Sequence, residues 1–221
     1  LINQGRLDEA VETFQKALLI NPLSYEAFNN MGNALQSNGK LDDAIKAYNE
    51  ALLIKPNHAH SHNNMGGALE HKGKIKEAIV SYKKSISLNP TYADAHQNLG
   101  YLYLNNGKLK EGLDEIEWRW KTDIFSGQKR NFLQPLWDGK QSLNGKRILI
   151  WHEQGVGDTI NWSSVLPLVT NRAGHCILEC QEKLIPLLKR SFPNVEVKPE
   201  DRSRDLKRDD FDYHLPMGSL Y

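Results

Sequence analysis

The sequence predicts an α-solenoid of stacked helix pairs followed by a partial α/β domain with a parallel sheet. Three observations carry this. A block of thirty-four residues starting at Tyr25 recurs at Ala59 and again at Ala93, and a period of that size marks a solenoid. Within the block, Ala44, Tyr48 and Ala51 sit at i, i+4 and i+7, one apolar stripe of a helix. Beyond Thr122, short apolar runs alternate with helical stretches, the pattern of a doubly wound parallel sheet.

Residues 1–24 form a partial repeat whose second helix runs roughly from Leu7 to Ile20. Full repeats follow at 25–58 and 59–92, and a third, at 93–121, decays: Gly112 and Arg119 replace the expected alanines. Its last helix should run on through GLDEIEWRW. Gly32, Gly66 and Gly100 recur inside the first helix of each repeat. Glycine there costs about 1 kcal/mol against alanine, so close approach of the paired helix must require it. Gly39, Gly73 and Gly107 stand where the first helices end and a left-handed residue is wanted. Pro56 and Pro90 close their units. The whole pattern resembles the tetratricopeptide repeat. Single helix pairs cannot bury their apolar faces, so the copies must stack.

Composition changes near residue 121: all five tryptophans lie from Trp118 onward. Residues 122–144 lack periodicity, but Phe132, Leu133, Leu136 and Trp137 read as an arm packed across the following domain, residues 145–221. Lys146–His152 is the first predicted strand and HCILEC the second; Val195–Lys198 is the third and FDYHLP the fourth. Helices are expected from Asp158 to about Thr170 and from Glu182 to Ser191. The strand order should be 3-2-1-4, which leaves the fourth strand as an edge. The charged run PEDRSRDLKRDD reads as solvated surface.

A net charge of +1 gives no support to a polyelectrolyte partner such as nucleic acid. Neither a membrane-spanning run nor a signal peptide is present, so a cytoplasmic protein is expected. Cys176 and Cys180 share a strand face about 13 Å apart, too far to bridge, and read as buried reduced thiols.

Chemistry could sit in two places. Asn30, Asn64 and Asn98 each precede the Met-Gly or Leu-Gly pair of their repeat. Helical spacing sets them beside Glu26, Asn29, Asn33 and Asn63 on the inner wall. Carboxamides both donate and accept, so a column of them can pair with the backbone of an extended peptide. The column resembles the asparagine ladder of the O-linked N-acetylglucosamine transferases. On this reading its side chains are exposed and unpaired within the chain. His58, His60 and His62 imitate a metal cluster but fail on geometry, because His60 and His62 lie about 200° apart around a helix; no metal is expected.

The second place is the glycine loop EQGVGD, where Gly155 and Gly157 open a helix and bare amides favour an anion. A dinucleotide fingerprint would need glycine where Ile160 stands, and Glu179 is the sole candidate for its ribose-binding acid. The run WDGKQSLNGKRILIWHEQGVGDTINWSSVLPLV, with FDYHLPMGSL later, resembles bacterial tetratricopeptide proteins that end in a glycosyltransferase-like domain. Its glycine-aspartate helix opening is similar to that of the heptosyltransferases, of the type-B fold. That resemblance implies the first half of a Rossmann-like pair and a general-base role for Asp158 on an acceptor hydroxyl. It further implies a nucleotide sugar bound mainly by a second half. Asp158 is equally placed to cap its helix.

The chain starts in mid-repeat without methionine, so it reads as a fragment of a longer protein. The expected function is a protein-interaction module that binds an extended peptide, fused to an incomplete transferase-like domain, without cofactor or turnover of its own. The alternative is part of an active transferase whose repeats present the acceptor. Both raw ends, around Leu7, Val11 and Phe14 and around Phe211, Tyr213 and Leu215, are expected to drive homo-oligomerisation.

Overall fold

A computed structural model describes residues 6–123, 129–130, 132–153, 155–201 and 208–220. Half of the charged run expected as solvated surface, from 202 to 207, lies outside the described residues, as does Gln154 of the glycine loop. The chain divides into two compact units, Leu1–Thr122 and Asp123–Tyr221.

The first unit is helical: α1 (Leu7–Ile20), α2 (Tyr25–Ser37), α3 (Leu41–Ile54), α4 (Ala59–His71), α5 (Ile75–Leu88), α6 (Ala93–Asn105) and α7 (Leu109–Ile116). Helices pair within each repeat, and successive first helices touch, α2 on α4 and α4 on α6, so these three form one inner wall. The alanine-tyrosine stripe is the reason the pairs close. Ala44, Tyr48, Ala51, Ala78, Tyr82 and Ser85 are each at most 2% exposed. A Cβ on Gly32 would lie 2.5 Å from the Tyr48 ring, and one on Gly66 would lie 2.7 Å from Tyr82.

Gly39, Gly73 and Gly107 have φ of 73°, 77° and 72°, the left-handed region in which a Cβ is strained. Nothing lies within 4 Å of a Cβ built on Gly73. Gly73→Ala should therefore cost about 1 kcal/mol through the backbone alone, read as a lower urea midpoint at unchanged slope. An unchanged midpoint would mean that the turn relaxes without strain.

The last repeat differs from expectation. Instead of running on, α7 stops at Ile116 and tightens into a 3-10 turn, Glu117–Lys121. Arg119 turns inward, 2% exposed, and donates to Ile116 O at 3.3 Å and Glu117 Oε1 at 2.6 Å. The turn also lays the Trp118 indole flat on His96, with centroids 3.9 Å apart and planes 4° from parallel. That stack and the inward arginine are what a continuous helix would forgo.

The second unit holds β1 (Arg147–Trp151), α8 (Val156–Ser163), α9 (Pro167–Thr170), β2 (His175–Cys180), α10 (Ile185–Ser191), β3 (Glu196–Pro199) and β4 (Tyr213–Pro216). All pairings are parallel and the order is β3-β2-β1-β4, as the alternation predicts. Ile148, Leu149, Ile150, Ile177 and Leu178 are at most 1% exposed. The central strands are buried on both faces, which is why they read as unbroken apolar runs. The single helix expected from Asp158 to Thr170 is two, because Pro167 has no N–H to continue a ladder and starts α9 instead. Cys176 and Cys180 are free buried thiols, pushed up to about 12 and about 11 by burial.

The fourth strand is not a raw edge. Trp137 N donates to His214 O at 2.9 Å, and His214 N donates to Pro135 O at 3.2 Å. Residues 135–137 thus add a short parallel bridge beside β4. Phe211 and Leu215 are 2% and 4% exposed, so the apolar surface expected there is covered from within the chain. Trp137 enters the core, while Leu133 and Leu136 face outward at 74% and 45% exposure.

His214 lies among Phe132, Phe211 and Trp151, and its Nδ1 accepts from Trp151 Nε1 at 3.3 Å. Burial, then the charges of Arg130 and Lys129, push its imidazole down to about 4 from the ordinary 6.5. Between those values the unfolded chain binds a proton that the folded chain refuses. Stability is therefore fully present above pH 6.5 and falls as pH drops towards 4. The urea midpoint of this unit should drop from pH 7 to pH 5, and His214→Gln should flatten that drop. An equal drop in both would assign the dependence to other groups.

Candidate functional site

The inner wall is built by α2, α4 and α6, whose register brings the three asparagines to successive levels. Ser24 caps α2 by accepting from Ala27 N at 3.1 Å, and the later copies start at the same point of the period without a side-chain cap. Asn30 is exposed, whereas Asn64 and Asn98 are half-buried. Asn29 and Asn63 are buried at 8% and 7%.

The carboxamides are not unpaired. Asn98 Nδ2 donates to Asn63 Oδ1 at 3.1 Å, and one repeat earlier Asn64 Nδ2 donates to Asn29 Oδ1 at 3.2 Å. Asn64 Nδ2 also donates to Asn33 Oδ1 at 3.0 Å, and Asn33 accepts from Tyr48 OH at 2.8 Å. Within each level, Asn29 Nδ2 reaches Asn30 Oδ1 at 3.4 Å and Asn63 Nδ2 reaches Asn64 Oδ1 at 3.5 Å. Adjacent first helices lie close enough for one repeat's asparagine to reach back to its predecessor, an approach that spacing alone does not display. Asn29, Asn33, Asn63 and Asn64 join the repeats to one another. Among the described residues, the Asn30 amide donates to nothing and the Asn98 carbonyl oxygen accepts nothing, so both keep spare capacity.

At the N-terminal ends of the same helices runs a row of rings that sequence reasoning missed. Tyr25 meets His58 edge-on at 4.9 Å, His58 lies 5.5 Å from His60, and His60 lies 4.6 Å from Tyr92. Its sequence signal is aromatic or imidazole residues within two positions of each repeat junction. The three histidines face different partners. His58 Nδ1 lies 2.7 Å from Ser61 Oγ, His62 Nε2 lies 2.9 Å from Pro56 O, and His60 stacks between His58 and Tyr92. Ser61 Oγ in turn donates to Asn29 Oδ1 at 2.9 Å. Burial first, then neighbouring cations, hold the His58 imidazole below its ordinary value.

In the sheet unit, Gly155 and Gly157 are exposed at the start of α8. Asp158 is not the first capping residue. It sits within the first turn and reaches back, Oδ2 accepting from Gly155 N at 3.2 Å. Glu179, the acid weighed for a ribose, is 1% exposed. Its two carboxylate oxygens are taken by Arg130 and Arg208. It holds the sheet to its flanking loops and offers nothing to a sugar. Glu153, buried at the end of β1, accepts from Gly218 N at 2.6 Å.

Models of the tetratricopeptide repeat match residues 1–39, 25–58 and 70–107. The helical unit is a stack of tetratricopeptide repeats. A crystal structure of MamA superposes with a TM-score of 0.50 at 24% identity, over 55% of this chain and 71% of that one. A MamA fragment from Desulfovibrio magneticus RS-1 reaches a TM-score of 0.49 at 22% identity over the same shares. Protein FlbA of Caulobacter vibrioides is 41% identical over 64 residues, 28% of this chain; the chain spans 11% of FlbA's length. Tetratricopeptide repeats suggest a protein–protein interaction module. No helix among the described residues is long and apolar enough to cross a membrane.

Proposed function

We propose that the tetratricopeptide unit holds an extended polypeptide along the wall of α2, α4 and α6, with Asn30 and Asn98 pairing to its backbone. One observation supports this most: the carboxamide network repeats from level to level and ends in unused donor and acceptor capacity at those two residues. A backbone-directed site needs a donor and an acceptor, and here Asn30 supplies the donor and Asn98 the acceptor. Asn30→Ala with Asn98→Ala should weaken binding of short unstructured peptides about 10-fold, the equivalent of one or two net hydrogen bonds. Fluorescence anisotropy measures it, and unchanged affinity would sink the reading.

A second reading is favoured by the sheet. Connections reverse direction between β1 and β4, the place where open α/β sheets hold ligands, and the glycine loop leaves β1 there. On this reading the unit is a Rossmann-like half of a nucleotide-sugar transferase, with Asp158 as general base and the repeats presenting the acceptor. Release of nucleoside diphosphate, lost in Asp158→Asn, would favour it over a pure binding module; release that survives the substitution would remove Asp158 from the chemistry. Self-association is expected by sequence at Leu7, Val11 and Phe14, which are half-buried; Leu19, Ile20 and Leu23 on the same unit, exposed at 84%, 87% and 72%, offer it a more open apolar surface. Light scattering of a Leu19→Ser, Ile20→Ser variant tests that.

A further inference from the structure

The inner wall carries charge of one sign. Across α2, α4 and α6 the charged residues are Glu26, Glu70 and Asp94, with no lysine or arginine. Cations stand on the second helices and in the loops, where many are already matched: Lys40 with Asp8, Lys46 with Asp43, Lys72 with Asp42 and Lys74 with Glu77. A groove lined by carboxamides and carboxylates attracts cations and repels anions along its length.

The row of rings shows how a cation is seated there. Lys55, in the loop after α3, places Nζ 4.1 Å from the centroid of Tyr25 and 2.8 Å from its hydroxyl. Its charge also helps to lower the Glu26 carboxyl, after the bonds that carboxyl makes locally. One ring and one lysine thus meet within the chain, beside a carboxylate that feels the lysine's charge. At the other end of the row a ring and a carboxylate again stand near one another: Asp94 is two periods after Glu26, and Tyr92 lies one position ahead of the register of Tyr25, which Ala93 holds. Two periods after Lys55, the position that would answer it here, stands Asp123 rather than a cation, and among the described residues no cation lies over Tyr92 or pairs with Asp94. His60 covers one side of the Tyr92 ring at 4.6 Å. Asp94 is exposed beside it and acts on the phenol, which burial and then that charge push up to about 12.

We infer that Tyr92 and Asp94 seat a lysine or arginine side chain of the bound polypeptide, so that the groove selects extended basic peptides. The inference rests on the groove reading above and adds the partner's charge to it. Arginine suits the site best, since its planar guanidinium stacks on a ring while it bonds a carboxylate.

The test uses the full chain and three unstructured probes: a serine-arginine peptide, its citrulline counterpart and its glutamate counterpart. Anisotropy should show the arginine peptide binding about 10-fold tighter than the citrulline one, with affinity falling as salt rises. Asp94→Asn, on an exposed side chain, should remove most of that preference and leave the citrulline peptide unchanged; Tyr92→Leu should do the same. Asn98→Ala should weaken all bound probes alike. Equal binding of arginine and citrulline peptides, still sensitive to Asn98, would overturn the inference and spare the groove. Preference for the glutamate peptide would overturn it outright. No binding of any probe would overturn both.

Discussion

Glu179→Ala should lower the stability of the sheet unit by about 3–5 kcal/mol, the usual loss when one member of a buried ionic group is removed. Glu179 lies on β2, 1% exposed, with Arg130 and Arg208 on its two carboxylate oxygens. Arg208 also forks onto Asp210 at 2.9 and 2.7 Å, and Arg130 donates to Asp201 O at 3.1 Å. The guanidiniums are therefore held in place and cannot swing out when the carboxylate goes. Their charges would face each other across a void with one compensating anion lost. Glu179→Gln keeps the volume but not the charge and should fall in between. Replacing all three members by apolar residues of similar size should recover part of the loss, because the buried carboxylate goes together with both its cations, while the half-exposed Asp210 keeps Lys198 at 3.7 Å. Urea unfolding followed by the fluorescence of Trp151 reads each step. A loss below about 1 kcal/mol for Glu179→Ala, the range of exposed pairs, would show that water enters and screens the arginines.

Gly32→Ala should cost roughly 2–3 kcal/mol, although alanine for glycine in an open helix gains about 1 kcal/mol. The sign is set by packing. The new Cβ would meet three atoms of the Tyr48 ring at 2.5, 2.7 and 2.9 Å. That ring is wholly buried, and its hydroxyl is held by Asn33 and Gln36 at 2.8 and 2.9 Å. Moving it breaks those bonds, and Asn33 also anchors Asn64. The strain therefore reaches the carboxamide network, and peptide binding should weaken together with stability. Shrinking the neighbour, as in Gly32→Ala with Tyr48→Leu, should destabilise less than the sum of the single changes by more than about 1 kcal/mol. Strict additivity, or a stabilised Gly32→Ala, would show that the helix pair can open at little cost.

The sequence by itself determined what the thirty-four-residue period carries and the order of the strands. The thirty-four-residue period located the repeats, the left-handed glycines and the buried alanine-tyrosine stripe, because a stacked array asks the same of each copy. The strand order was legible too, since short right-handed crossovers leave few arrangements. The tertiary structure alone decided what depends on the reach of a side chain to a residue distant in sequence. Asn64 and Asn98 were identified as inner-wall residues, but their pairing across repeats depends on how closely α2, α4 and α6 approach. Glu179 carries the same letter whether it binds a ribose or two arginines, and the two arginines come from segments 49 residues before it and 29 after. The covering of β4 by residues 135–137 and the 3-10 turn that lays Trp118 on His96 belong to the same class. Periodicity records what each repeat shares with its neighbours, whereas a contact between unlike segments is made once and leaves no period to read.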